Sequence, residues 1–114
     1  MYSKELLKGT LSAIILKLLA ENDKMYGYQI TQKVKELSEG KILIKEGSLY
    51  PALFKLKDDG LVRTETMNIG KRVRRYYYLT EQGNSAVTLK IQEIHDFINT
   101  LIKVFLPDLN YQST

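Results

Sequence analysis

Lys71, Arg72, Arg74 and Arg75 crowd one short stretch, directly after Gly70 and directly before three tyrosines, Tyr76, Tyr77 and Tyr78. Clustered ammonium and guanidinium groups bind phosphate oxygens through charge-assisted hydrogen bonds. The four are not equivalent. On a strand Arg72 and Arg74 share one face and Arg75 takes the other, so one groove cannot receive them all. Lys71 and Arg72 are expected at a hairpin tip, free to reach phosphates or an adjacent minor groove, with Arg74 behind them. Arg75 is expected to pair across the hairpin with Glu65. Upstream, GSLYPALFKLKDDG (residues 47–60) puts Ser48, Tyr50, Pro51 and Lys55 on the amino-terminal, outward part of a short helix. There a groove-reading helix offers side chains to base edges and N–H groups to phosphate. A third set, Tyr28, Gln29 and Lys33, stands on an earlier helix, where Tyr28 is the freer of the two tyrosines that flank Gly27.

Other chemistries find no footing. The absence of cysteine removes disulfides, thiolate metal sites and a cysteine nucleophile together. His95 is the single histidine; Glu93 and Asp96 diverge from it around a helix, and no second imidazole completes a metal site. Ser12, Ser38 and Ser48 lack a histidine and carboxylate context, Asp58 and Asp59 sit at a helix end, and there is no phosphate-binding glycine loop. A binding protein is expected, not an enzyme, with no metal and no cofactor. The tyrosine run alternates faces and reads as a packed strand rather than a base-stacking platform.

Net charge is +4, unevenly spread. Residues 40–79 hold nine Lys or Arg against four acids, while the flanking thirds are near balance or acidic. A basic middle favours a polyanionic partner. With 44% hydrophobic and 26% charged residues in 114, the chain is a globular domain small enough to gain from oligomerising. No leader pattern is present, and no apolar run nears the ~20 residues that span a bilayer. A soluble, cytoplasmic protein without a membrane partner is expected.

The elements that must hold these residues follow from hydrophobic spacing. Residues 6–20 read as one helix, apolar at Leu7, Leu11, Ile14, Ile15, Leu18 and Leu19 and over most of its circumference, so more than one side must be covered. Residues 26–37 form a second, with Tyr26, Ile30, Val34 and Leu37 inward. Residues 42–44 suit a brief strand pairing with the later hairpin. Ser48 is the expected N-cap of the third helix, with Pro51 in its first turn and Gly60 closing it. Leu49, Ala52, Leu53 and Leu56 lie inward there, while Tyr50, Pro51, Phe54, Lys55 and Asp58 point elsewhere. Strands at 61–67 and 73–79 flank a turn of Asn68, Ile69 and Gly70. Thr80 caps a last helix, roughly 40 Å long, in which Val87, Ile91, Ile94, Ile98, Leu101 and Phe105 recur at heptad steps until Pro107 ends it.

Three helices followed by a hairpin are winged helix-turn-helix topology: a mainly α fold with a small β-hairpin, extended by a long C-terminal helix suited to dimerisation. Residues 1–80 are expected to be the winged head, 81–107 the dimerisation helix and 108–114 a flexible tail.

YGYQI (residues 26–30), EGSLYPALFKLKDDGLV (46–62) and RRYYYLTEQG (74–83) resemble, in order and spacing, signature blocks of PadR-like transcriptional regulators. LLKGTLSAIILKLLAE (6–21) is similar to that family's first helix. The resemblance implies a bacterial winged-helix repressor of the shorter branch, dimeric through its C-terminal helix. It also implies a palindromic operator in double-stranded DNA and, often, release by a small ligand. Members that sense flat aromatic compounds grip them with aromatic side chains near the dimer axis; this chain has no Trp and offers Phe97 and Phe105 among aliphatics.

A homodimer interface is expected at Leu7, Leu11, Ile14, Ile91, Ile94, Phe97, Ile98, Leu101 and Phe105. Between subunits two readings stand side by side, an apolar cavity for a small hydrophobic effector at Leu11, Ile15, Ile94 and Phe97, or a closed core with no pocket. Paired third helices would enter major grooves ~34 Å apart, so the operator would be an inverted repeat on the nucleoid. The competing reading is a winged helix used as a protein-interaction module, docked through the heptad helix, with the basic wing incidental.

Overall fold

A Gly-Thr pair interrupts the first apolar pattern, and the chain breaks there. The structure is a computed structural model that describes residues 2–106; in it helix α1 is Lys4–Lys8 and α2 is Leu11–Glu21, two helices in place of the one expected over residues 6–20. Thr10 is the cause. Its N–H and its hydroxyl both donate to the Leu7 carbonyl, at 3.0 and 3.2 Å, taking the acceptor that Leu11 would use in a continuous helix. Gly9, the C-cap of α1, adds a helix penalty of about 1 kcal/mol relative to alanine.

The chain then turns through Asn22, Asp23 and Lys24 into β1 (Met25–Tyr26) and α3 (Gly27–Leu37). Met25 lies opposite Tyr77 and Tyr26 opposite Tyr76 on β3 (Arg72–Leu79). This pairing occupies the β3 edge, so the strand expected at residues 42–44 does not form; Ile44 instead buries its side chain from an extended linker. The β-branched composition there reports burial, not pairing. Leu37, expected inward, is 65% exposed, because the last turn of α3 runs past the core and Leu37 borders an open groove.

Helix α4 is Glu46–Asp58, with Lys45 as its N-cap. It starts ahead of Ser48, which therefore lies inside the helix instead of capping it. Pro51 falls in the second turn, not the first, and removes the bond an N–H would have donated to the Gly47 carbonyl; Gly47 is exposed, so water can serve that oxygen. At the other end Gly60 adopts φ +78°, and the Leu61 and Gly60 N–H groups reach the carbonyls of Leu56 (2.9 Å) and Lys57 (3.0 Å), a Schellman closure.

β2 (Val62–Ile69) and β3 pair antiparallel with Ile69 opposite Arg72, so the turn is the two residues Gly70 and Lys71 rather than Asn68 to Gly70. Gly70 has φ +63° and Lys71 is not left-handed, the pattern of a type II′ turn, whose twist suits a hairpin. In this register Glu65 opposes Tyr76 and Arg75 opposes Thr66. The expected Glu65–Arg75 pair would need a three-residue turn; Glu65 instead meets Lys24 at 3.3 Å. The sheet order is β1-β3-β2.

Thr80 caps α5 (Glu81–Phe105): its hydroxyl accepts the Gly83 N–H at 3.0 Å and donates to the Gly60 carbonyl at 2.6 Å. Helix start and α4 end are thereby pinned together. The core is built on Ile15, Leu16, Ile30, Leu49, Leu53 and Val62, with α2 covered by α3, α4, the sheet and the first half of α5 through Val87 and Ile91. Pro107 and the expected tail at 108–114 lie outside the described residues.

Candidate nucleic-acid interface

Leu49, Leu53 and Leu56 hold the inner face of α4 in the core. Opposite them, Gly47, Pro51, Phe54 and Asp58 follow at steps of four, three and four and form the outermost line of the helix, all exposed. Tyr50 and Lys55 flank that line. Tyr50 is 36% exposed, with its hydroxyl against Gly27, where any Cβ would collide with it. It therefore packs on α3 and borders the outer surface at once. Lys55 is exposed and meets Asp59 at 3.5 Å, a solvated i,i+4 pair too weak to withhold it from another anion. Ser48 is half-buried and Pro51 exposed. Sequence reasoning passed over Lys45, exposed beside the open N–H groups of the first turn, because it started the helix at Ser48. It also passed over Phe54, whose ring is 52% exposed.

Past Tyr77 the hairpin leaves the core, and Lys71 and Arg72 stand exposed at its tip. Arg74 is half-buried because its guanidinium carbon lies 4.4 Å from the Tyr26 ring centroid. Tyr26 meets Tyr76 edge to face, 5.5 Å between centroids at 86°, and Lys24 Nζ lies 5.6 Å above Tyr76 while pairing with Glu65. The outer face of the sheet is thus a ladder of acid, ammonium, ring, ring and guanidinium that ties the start of α3 to the hairpin. Arg75 projects to the inner face with Tyr77. Burial pushes the Tyr77 phenol above its usual range, with Arg75 opposing the shift and Tyr50 reinforcing it. The tyrosine run is a packed strand, as its alternation implies.

On α3, Tyr28 is 65% exposed. Gln29 commits its side-chain carbonyl to the Tyr26 N–H at 3.1 Å, which leaves its amide donors for another partner. Lys33, one turn on, is half-buried. The start of α3 meets the flank of α4 where Tyr50 lies against Gly27, and Tyr77 at the base of the hairpin is close enough to Tyr50 to feel it. His95 faces Asn99 at 3.5 Å, and no group of potential metal ligands occurs among the described residues.

The residues expected between subunits divide. Leu11 and Ile15 are 7% and 0% exposed in the chain's own core, so neither has surface to offer a partner or an effector. Leu7, Ile14, Ile91, Ile94 and Leu101 are half-buried, and Phe97, Ile98 and Phe105 are exposed along α5. An apolar groove of about 540 Å³ opens between α2, α3 and α5, bounded by Ala13, Ile14, Val34, Leu37, Ile91 and Ile94. Of the four residues expected to hold an effector, Ile94 alone lines it.

Residues 15–89 match the Transcriptional regulator PadR-like family. Transcriptional regulator Rv3488 of Mycobacterium tuberculosis is 35% identical over 79 residues, 68% of this chain and 71% of that protein. A solved transcriptional regulator from Clostridium thermocellum superposes with a TM-score of 0.80 at 27% identity, over 93% of this chain and 99% of that one. A PadR family transcriptional regulator from Eggerthella lenta does so with a TM-score of 0.74 at 30% identity, over 90% and 87%. The matched stretch contains α3, α4 and the whole hairpin.

Proposed function

The chain belongs to the PadR-like family of transcriptional regulators, and on that premise we propose that it is a homodimeric repressor that reads an inverted-repeat operator in the bacterial cytoplasm. Membership makes it a DNA-binding regulator with a winged-helix fold, not an enzyme, and removes the ground for treating the wing as incidental to a protein-docking module.

One observation carries the finer reading: the outward side of α4 and the free cations of the hairpin belong to one head, from which α5 extends an exposed apolar stripe. In this reading α4 enters the major groove with Tyr50, Pro51 and Lys55 toward base edges and Ser48 and Lys45 toward phosphate. Tyr28, Gln29 and Lys33 face the backbone, and Lys71, Arg72 and Arg74 reach the flanking strand or minor groove. Residues 1–80 act as the head, and the helix over 81–107 pairs two heads at the spacing of a DNA turn. A small apolar effector seated in the groove beside α5 would release the DNA to the extent that it prefers one spacing of the heads over the other.

The test is fluorescence anisotropy with duplex from upstream of the protein's own coding region and with random duplex, across salt. A preference for an inverted repeat and a steep salt dependence are expected. Lys71→Ala or Arg72→Ala should weaken both duplexes alike and lower the log–log salt slope by about one, whereas Tyr50→Ala should mainly lower the ratio between duplexes. Absence of any inverted-repeat preference, or equal loss of preference from both kinds of variant, would contradict the proposal.

A further inference from the structure

The outermost line of α4 carries no side-chain hydrogen-bond donor. Gly47 has no side chain, Pro51 and Phe54 are apolar, and Asp58 offers acceptors alone. In the major groove guanine is read by the paired donors of Arg or Lys, and adenine by the donor and acceptor of Asn or Gln. Neither kind of residue lies on this line; Lys55 stands at its edge. An exposed ring is also unnecessary to the fold here, because Leu49, Leu53 and Leu56 already fill the inward side of α4. What an apolar ring can recognise on a base edge is the C5-methyl group of thymine.

We propose that Phe54, backed by Pro51 one turn earlier, is a specificity-determining residue that contacts a thymine methyl group in each half-site. The inference rests on α4 entering the major groove, as in the preceding section, and names the base chemistry that the helix selects. Phe54 then supplies discrimination, while the cations of the hairpin supply affinity that any sequence receives. The apolar contact adds nothing to the salt dependence, because it releases no counterion.

The probe is the duplex most enriched by the full-length protein from a randomised 30-bp pool, with each thymine replaced in turn by deoxyuridine, which deletes only the methyl group. At one thymine per half-site the wild-type protein should lose affinity about fourfold, the equivalent of one buried methyl-sized group. Phe54→Ala should bind the parent duplex more weakly and be indifferent to that same replacement. Phe54→Gln, which restores a donor and an acceptor, should enrich adenine where the wild type enriches thymine.

Wild-type binding that is insensitive to deoxyuridine at every thymine overturns the inference. So does Phe54→Ala remaining as sensitive as wild type, or Phe54→Gln keeping the thymine. A pool that enriches no sequence overturns the operator-reading proposal and this inference with it, whereas enrichment without thymine sensitivity overturns this inference alone. Because Phe54 lies outside the core, circular-dichroism melts of both variants should match the wild type, which excludes unfolding as the source of any lost binding.

Discussion

Tyr26 joins three pieces of structure through one residue. Its backbone is the N-cap of α3, its ring meets Tyr76 edge to face, and the same ring carries the Arg74 guanidinium. Removing the ring forfeits both contacts, each of about 0.5–1 kcal/mol. Tyr26→Leu should therefore lower stability by about 1–2 kcal/mol in urea denaturation while Tyr26→Phe holds it; equal loss from both would assign the effect to the hydroxyl. Tyr77 makes a pH prediction. Burial disfavours its phenolate, so its folded pKa is raised above the ordinary value of 10.0, and the folded state holds this proton more tightly than the unfolded chain does. The resulting stability is complete below the unfolded pKa and is lost as pH rises through the folded one. Tyr77 should contribute a fall in the urea midpoint as pH rises beyond the unfolded value, and Tyr77→Phe should make the alkaline fall smaller than in the wild type.

At the scale of elements, the start of α5 is the joint that holds helix to sheet. Thr80 caps the helix and binds the Gly60 carbonyl with one hydroxyl, and Gly83 lets the first turn approach the Leu61 carbonyl so closely that a Cβ would overlap it. Thr80→Ala should cost about 1–2 kcal/mol. Gly83→Ala should cost about 1–3 kcal/mol through forced displacement of backbone, measurable as a lower urea midpoint with unchanged slope. The capping role of Thr80 was legible in the chain; the packing role of Gly83 was not, since a close approach between distant segments leaves no periodic signal. The same distinction explains the other outcomes. Heptad and helical spacing located α2, α3, α4 and α5 because burial repeats along one element. The break at Thr10, the pairing of Met25–Tyr26 with β3 and the register at Gly70 depend on which donor reaches which acceptor, and hydrophobicity does not encode that. Ser48 looked like a cap because serine often is one, yet Lys45 already has the extended backbone of that position. Spacing already put Phe54 off the inward face of α4, but an apolar ring carries no donor or acceptor to mark it as a reader of DNA, and its 52% exposure had to come from the structure.

Over the whole molecule the Cα radius of gyration is 16.0 Å and the longest extent 58 Å, against about 13 Å for a compact chain of this length. The excess comes from α5, whose first half packs on α2 while its second half projects with Phe97, Ile98 and Phe105 exposed. Water is a poor environment for that stripe, and a second copy offers the same stripe in return, the self-complementarity that a two-fold interface requires. Ile98 lies beyond the intramolecular packing of α5, so a charge there should disturb a partner without disturbing the head. Light scattering should give the wild type twice the 13.2 kDa chain mass and Ile98→Glu the mass of one chain. Binding to a full inverted repeat should then fall by roughly 100-fold, because the second head loses an effective concentration in the millimolar range. Binding to an isolated half-site should hold, since each head keeps its own contacts. Persistence of the dimer in Ile98→Glu would move the interface off this stripe, and loss of half-site binding along with the dimer would show that the head depends on its partner for more than spacing.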